Sequence, residues 1–223
     1  MAVTSSPISH PTVAPCNGKI CKSCGLYLNQ APIFDERRMA DVFWVGLSAV
    51  RFEDGQERLP LSPLTASGAL ISQIEQPYTS KLRFYKTNLV KCLPLKDDRI
   101  RYPMEREMEK CFSNFEWELE NLRPATVYLL GKQVATFILK KLSGDKPILP
   151  EDFTYTSVRI NNISFIPVHH PSYILVYKRK MLEQYVKHVQ ILFPSESRGE
   201  KCKDHSASHK ISSLKRKFDG SRV

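Results

Sequence analysis

Along the chain, short apolar runs alternate with stretches whose apolar residues recur every three or four positions. Runs of strand length occupy residues 41–46 (DVFWVG), 85–90 (YKTNLV), 126–131 (TVYLLG) and 163–168 (ISFIPV). Between residues 103 and 122, Met104, Met108, Cys111 or Phe112, Phe115, Leu119 and Leu122 mark one face of an amphipathic helix, with Pro103 in a starting position. A second helix is predicted over 132–142, directly after Gly131. A third is predicted over 180–193, burying Leu182, Val186, Val189 and Phe193. Alternation of this kind predicts a three-layer α/β/α domain around a central, mostly parallel four-stranded sheet. The pair Asn161-Asn162, between TSVRI and ISFIPV, suits a hairpin turn and predicts that one strand is antiparallel.

The pattern fades at both ends. Residues 1–15 are rich in Ser and Pro and read as a flexible tail. Residues 195–223 lack apolar periodicity and read as a disordered basic tail, leaving 16–194 as the folded domain. Within the second tail, Lys215, Arg216 and Lys217 fit a localisation signal, a non-specific DNA contact or a merely solvated segment.

Composition sharpens this picture in two ways. The 223 residues are 42% hydrophobic and 25% charged, as in an ordinary globular chain. No run is long enough for a membrane-spanning helix, and the N-terminus lacks the basic and apolar regions of a secretion signal. A monomer in the cytoplasm or nucleus is therefore expected, with its six cysteines as thiols or metal ligands. The net charge is +10, of which the C-terminal tail carries +4, so the folded part is itself basic and suited to a polyanion.

In parallel sheets, ligands bind beyond the carboxyl ends of the strands. Gly46, Asn88, Gly131, His169 and His170 all fall at such ends, and His170 is followed by the rigid Pro171. Each residue alone has an ordinary structural explanation, as turn, cap or core. Together, four segments are predicted to converge on one cleft.

The segments VGLSAVRFEDG, TNLVKCLP, RYPMEREMEKC, LRPATVYLLGKQVA and HPSYIL, in that order, resemble families 4 and 5 of the uracil-DNA glycosylase superfamily. Pro103, Glu107 and Cys111 keep the spacing of the family's third motif, and Pro124, Val127, Leu130, Gly131 and Ala135 follow its fourth. The likeness spans residues 21 to about 193. It implies an enzyme that excises an altered base, uracil or another modified pyrimidine, from DNA and leaves an abasic site. It also implies a [4Fe-4S] cluster on Cys21, Cys24, Cys92 and Cys111, whereas the residues alone equally allow a zinc site or buried thiols. Cys16 and Cys202 receive no role.

By the same resemblance, Asn88 reads the base edge and His170 donates a hydrogen bond to the departing base. Backbone amides of the Gly46 loop line the sugar and phosphate side, and Gly46, Leu47 and Leu61 join Asn88 as base-binding residues. Ser172, Tyr173, Ile174 and Leu175 are candidates for the wedge that replaces the flipped nucleotide, though the last three also suit simple core packing. Leu47 stands where family 4 has Glu, and Ala49 replaces the Pro of family 5's Gly-Leu-Ala-Pro. Glu53 and Asp54 match a Glu-Asp pair common in family 4 and are candidates to orient water or to stabilise an oxocarbenium-like sugar. Leu61 follows Pro60 where the family places its base-stacking aromatic, which leaves Leu61 or Phe52 for that task. Such altered walls leave three further readings open: a glycosylase for hypermodified bases, a catalytically inactive DNA binder on the same fold, and a zinc-structured binding module.

Overall fold

A computed structural model describes residues 21–53 and 57–195. The predicted tails, apart from Ser195, together with Cys16, Cys202, Asp54 and the Lys215 to Lys217 cluster, lie outside the described residues.

The chain enters through a short 3-10 turn, Leu26–Leu28. There follow β1 (Val42–Ser48), α1 (Ala66–Glu75), β2 (Phe84–Val90), β3 (Leu95–Lys96), β4 (Arg99–Ile100) and α2 (Glu105–Leu122). The second half holds β5 (Thr126–Leu130), α3 (Lys132–Leu142), β6 (Val158–Ile160), β7 (Ile163–Val168), α4 (Pro171–Tyr177) and α5 (Leu182–Ile191).

The central sheet has five strands, not four, in the order β2-β1-β5-β7-β6. Its first four are parallel, and β6 pairs antiparallel with β7 across the Asn161-Asn162 turn. Both asparagines have positive φ, 48° and 65°, as a two-residue hairpin turn demands. The TSVRI run therefore adds the fifth strand. β3 and β4 form a separate small hairpin.

Alternating side chains of the strands feed two cores. Phe43, Val45, Tyr85, Leu89, Val127 and Leu129 face α2 and α3 through Phe112, Phe115, Val134 and Ile138. Trp44, Tyr128, Leu130, Ile166 and Val168 face the other way, onto Ile71 and Ile74 of α1, Ile174 of α4 and Tyr185 and Val189 of α5. Each fully buried side chain of this kind contributes about 1.5–3 kcal/mol of transfer free energy. The expected α/β/α layering follows directly from this period-two alternation.

Two helices differ from the expectation at their starts. Pro103 lies just before the N-cap Met104 of α2, whose backbone N–H donates to the Glu107 carboxylate at 2.7 Å. Arg101 grips the same carboxylate through two nitrogens, at 2.6 and 2.8 Å, and this pairing holds Glu107 below the usual carboxylate range. α5 begins at Leu182, after a 3-10 turn at Arg179–Met181, so the helix expected from residue 180 starts two residues later.

Under the cleft end of β2 lies a buried ion pair. Lys91 and Glu118 are both 1% exposed and 2.7 Å apart, and Tyr85 and Thr87 donate hydroxyl hydrogen bonds to the same carboxylate at 3.1 Å. Satisfying both charges in this way is what makes their burial tolerable. The network ties β2 to α2 on either side of Asn88.

Candidate active site

The two central strands, β1 and β5, mark the point where the chain's progress across the sheet reverses, and a crevice opens there beyond the carboxyl ends. The resulting cleft encloses about 1070 Å³ and is lined by residues of all four segments expected to meet, among them Gly46, Asn88, Gly131 and His170.

Gly46 on β1 is the register partner of Asn88 on β2. A Cβ at Gly46 would collide with Asn88 Oδ1 and come within 3.2 Å of Leu61 Cδ2. Only glycine leaves room for that amide. Asn88 is 4% exposed, yet its side chain lines the cleft and makes no hydrogen bond with a described residue. A nearly buried amide without a protein partner is costly unless a solvent molecule or ligand uses it. Its acceptor and two donors are thus available to a polar group bound in the cleft.

Across the cleft, Gly131 has φ of 96° and leads straight into α3. A Cβ there would sit 3.4 Å from His170 Cβ. His170 is the N-cap of α4, with Pro171 in the first turn. Its Nδ1 accepts from the Ser172 backbone N–H at 3.1 Å, and the Ser172 hydroxyl lies 2.7 Å from the same atom. Because Nδ1 is an acceptor, the neutral ring carries its proton on Nε2. Burial pushes the His170 pKa below its ordinary value, which favours this neutral form.

His169 is fixed by a different set of groups. The Tyr155 hydroxyl accepts from the His169 backbone N–H at 3.3 Å and lies 2.8 Å from Nδ1, to which it can donate its own proton. The Tyr185 hydroxyl donates to the His169 carbonyl at 3.0 Å. Burial lowers the His169 pKa as well, and nearby Lys178 adds to that shift. Its ring stacks on Tyr173, with centroids 5.2 Å apart and planes 17° from parallel.

The other expected site residues separate into two groups. Leu47, Leu61, Phe52, Ser172 and Tyr173 line the cleft. Leu61 does so with a φ of 49°, a conformation a leucine rarely adopts, and its backbone lies against Gly68 in the first turn of α1. Ile174 is fully buried in the α1–α5 core and Leu175 packs against that core, so the outward face of α4 consists instead of Ser172, Tyr173, Val176 and Tyr177. Glu53 is exposed and is not part of the cleft lining. Among the described residues, no carboxylate lines it.

Sequence reasoning did not find Tyr155, Lys132, Gln133, Arg101 or Tyr102. The last four line the cleft, and Tyr155 is hydrogen-bonded to His169. Tyr155 has no local signal, because its partner lies 14 residues away. Lys132 and Gln133 were available from their place directly after Gly131.

The cysteines come from three segments. Cys92 and Cys111 are buried in the core cluster facing α2, and Cys24 packs against it. Cys111 Sγ accepts from the Lys91 backbone N–H at 3.4 Å and from Asn114 Nδ2 at 3.6 Å, and its thiol lies within electrostatic reach of Cys24. Cys21 lies near Ser23, with 3.5 Å between sulfur and hydroxyl. None of the four is in a disulfide. All-thiol donors with N–H groups directed at sulfur fit an iron-sulfur cluster in their chemistry. Among the described residues, no three potential ligands are drawn together as a metal-binding group. No described helix is long and apolar enough to cross a membrane.

Comparison with known proteins agrees with this geometry. Residues 30–192 match the family described as the Uracil DNA glycosylase superfamily. The Type-4 uracil-DNA glycosylase of Archaeoglobus fulgidus is 26% identical over 182 residues, which cover 74% of this chain and 82% of that protein. The cleft built by Gly46, Asn88, Gly131 and His170 therefore stands in a chain that belongs to the uracil-DNA glycosylase superfamily.

Proposed function

We propose that this protein is a monofunctional DNA glycosylase that flips uracil or another altered pyrimidine into the cleft and hydrolyses its N-glycosidic bond. The observation that carries this reading is the pairing, in one cleft, of an Asn88 amide that has no hydrogen-bond partner among the described residues with a His170 ring whose Nδ1 accepts from the Ser172 backbone N–H, leaving Nε2 to donate.

Asn88 reads the polar edge of the base, and Gly46 admits that edge by having no side chain. Leu61 and Leu47 form apolar walls in place of an aromatic stack and a carboxylate. As the bond from sugar C1′ to the base nitrogen breaks, its electron pair passes to the base. His170 Nε2–H donates to the base oxygen on which this charge collects. A donor so placed is worth about 3 kcal/mol, or a hundredfold in rate. Water then adds its oxygen to C1′, and its proton completes the released base. Ser172 and Tyr173 fill the gap in the strand.

Cys21, Cys24, Cys92 and Cys111 are the residues that would hold a [4Fe-4S] cluster. Bound there, it would staple the entering segment to the end of β2 and to α2, beside Lys91.

That no carboxylate lines the cleft among the described residues favours a second reading, a DNA binder on the same fold without catalysis. One experiment separates the two. The full-length, cluster-loaded chain is mixed with oligonucleotides carrying uracil, hydroxymethyluracil or a hypermodified cytosine, and abasic sites are counted. Base release from at least one substrate is expected. Binding without release from any of them rejects the enzyme in favour of the binder.

A further inference from the structure

The nine tyrosines of this chain are distributed unevenly. Three of them, Tyr102, Tyr173 and Tyr177, are exposed, by 71%, 36% and 73%, and all three line the same cleft. The other six are buried or half-buried. Exposed Ile100 and Val176 lie beside them in the lining. An aromatic ring left in water at a ligand site is unusual, because these residues otherwise bury large apolar areas.

The rings stand on two sides. Tyr173 and Tyr177 are one turn apart on α4, with centroids 5.5 Å apart, and the His169 ring stacks beneath Tyr173. Together they make a stair of three rings leading outward from the end of β7. Ile100 and Tyr102 belong to the segment that leaves β2, on the far side of β1 and β5. At about 4.8 Å between neighbouring strands, β2 and β7 are about 14 Å apart. Asn88 lies on β2 and His170 directly follows β7, so each platform is reached from the strand that carries one of the two site residues.

The charge around the rim selects the occupant. Lys132 lines the cleft, Arg99 precedes Tyr102, and Lys178, Arg179 and Lys180 follow α4 directly, whereas the charge of Arg101 is already met by Glu107. With no carboxylate among the described lining residues, this surface suits a polyanion that also offers flat faces. Inside a duplex those faces are already stacked on one another. Only unpaired bases can lie on tyrosines outside the base pocket.

We infer that the rim is a two-sided stacking clamp for the unpaired nucleotides on either side of the flipped one, so that the substrate class is single-stranded or locally melted DNA. The inference rests on the glycosylase reading for what happens to the central base, but the clamp itself does not require catalysis.

The test therefore uses DNA with no excisable base. Fluorescence anisotropy compares full-length protein on a labelled unmodified oligothymidine and on a duplex of equal length at the same salt concentration. Single strands are expected to bind at least tenfold more tightly. Tyr102→Ala and Tyr177→Ala are each expected to lose about tenfold on the single strand and little on the duplex. Tyr102→Phe and Tyr177→Phe should retain the wild-type affinity, and thermal melts report whether each variant is folded. Equal affinity for the two DNAs, single-strand binding untouched by either alanine, or no binding to either DNA overturns the clamp. Base release with equal affinities would reject the clamp and keep the glycosylase. Selective single-strand binding with no base release from any substrate would do the reverse.

Discussion

On the β7–α4 wall, His170 is held by the backbone of its own helix start, by Ser172 and by the close approach of Gly131. Facing it, the wall after β1 depends on contacts between distant segments. Gly46 makes room for Asn88, and Leu61 is set in place with positive φ by the start of α1. One wall is fixed locally and the other by packing at a distance. The first is suited to hold a donor at a constant position while charge develops. The second can change its side chains, as Leu47 and Leu61 do, and alter which base fits without disturbing the donor.

The strongest way to break this contrast is His170→Ala. It should reduce base release by about a hundredfold or more while costing only about 1 kcal/mol of stability, the usual cost of a lost helix cap, because the half-buried ring is not part of either core. A loss of folding instead would mean that the wall is structural. Gly46→Ala comes next. Its added methyl must displace the Asn88 amide, so release should fall by about tenfold, with discrimination between bases falling in parallel. Retained discrimination in a panel of modified oligonucleotides would remove Asn88 as the reader.

A pH titration sharpens the local side of the comparison. Both histidines have folded pKa values pushed below the unfolded value of about 6.5, so the unfolded chain takes up protons first as the solution is acidified. Stability from these groups is intact above that pH and is lost as pH falls through and below it. Denaturant melts at pH 7.5 and 5.5 should show the difference, and His170→Gln should reduce it, leaving the part due to His169. Tyr155→Phe, which removes the hydroxyl held by His169, should cost about 1 kcal/mol in the same melts. Leu61→Ala should be the mildest change, altering base preference by a few-fold at unchanged stability.

The same contrast explains how much the sequence disclosed. All four expected strands and the helix over 132–142 stand within two residues of their places, because buried strands and an amphipathic face leave periodic signals. His170 was readable because its partners, Pro171 and Ser172, are its neighbours in sequence. By contrast α1, over ASGALISQIE, was not anticipated. It opens among small and turn-forming residues and is stabilised by the Thr65 cap on Gly68 and by burial of Ile71 and Ile74. α4 was read as a possible wedge segment, and its inward Ile174 emerged only once the helix fixed which residues turn outward. The fifth strand was visible as a β-rich run and a hairpin turn but was not counted in the sheet. Tyr155 and the exposed Tyr102 and Tyr177 depend on long-range placement and left no local pattern.

The central claim is that a donor on the locally fixed wall drives base loss from a nucleotide read by Asn88. Single-turnover release of uracil from a labelled oligonucleotide, measured for cluster-loaded wild type, His170→Ala and Asn88→Ala, tests it most directly. The account predicts measurable release by the wild type, with both variants slowed by about a hundredfold while still folded. Release by His170→Ala at the wild-type rate would contradict it.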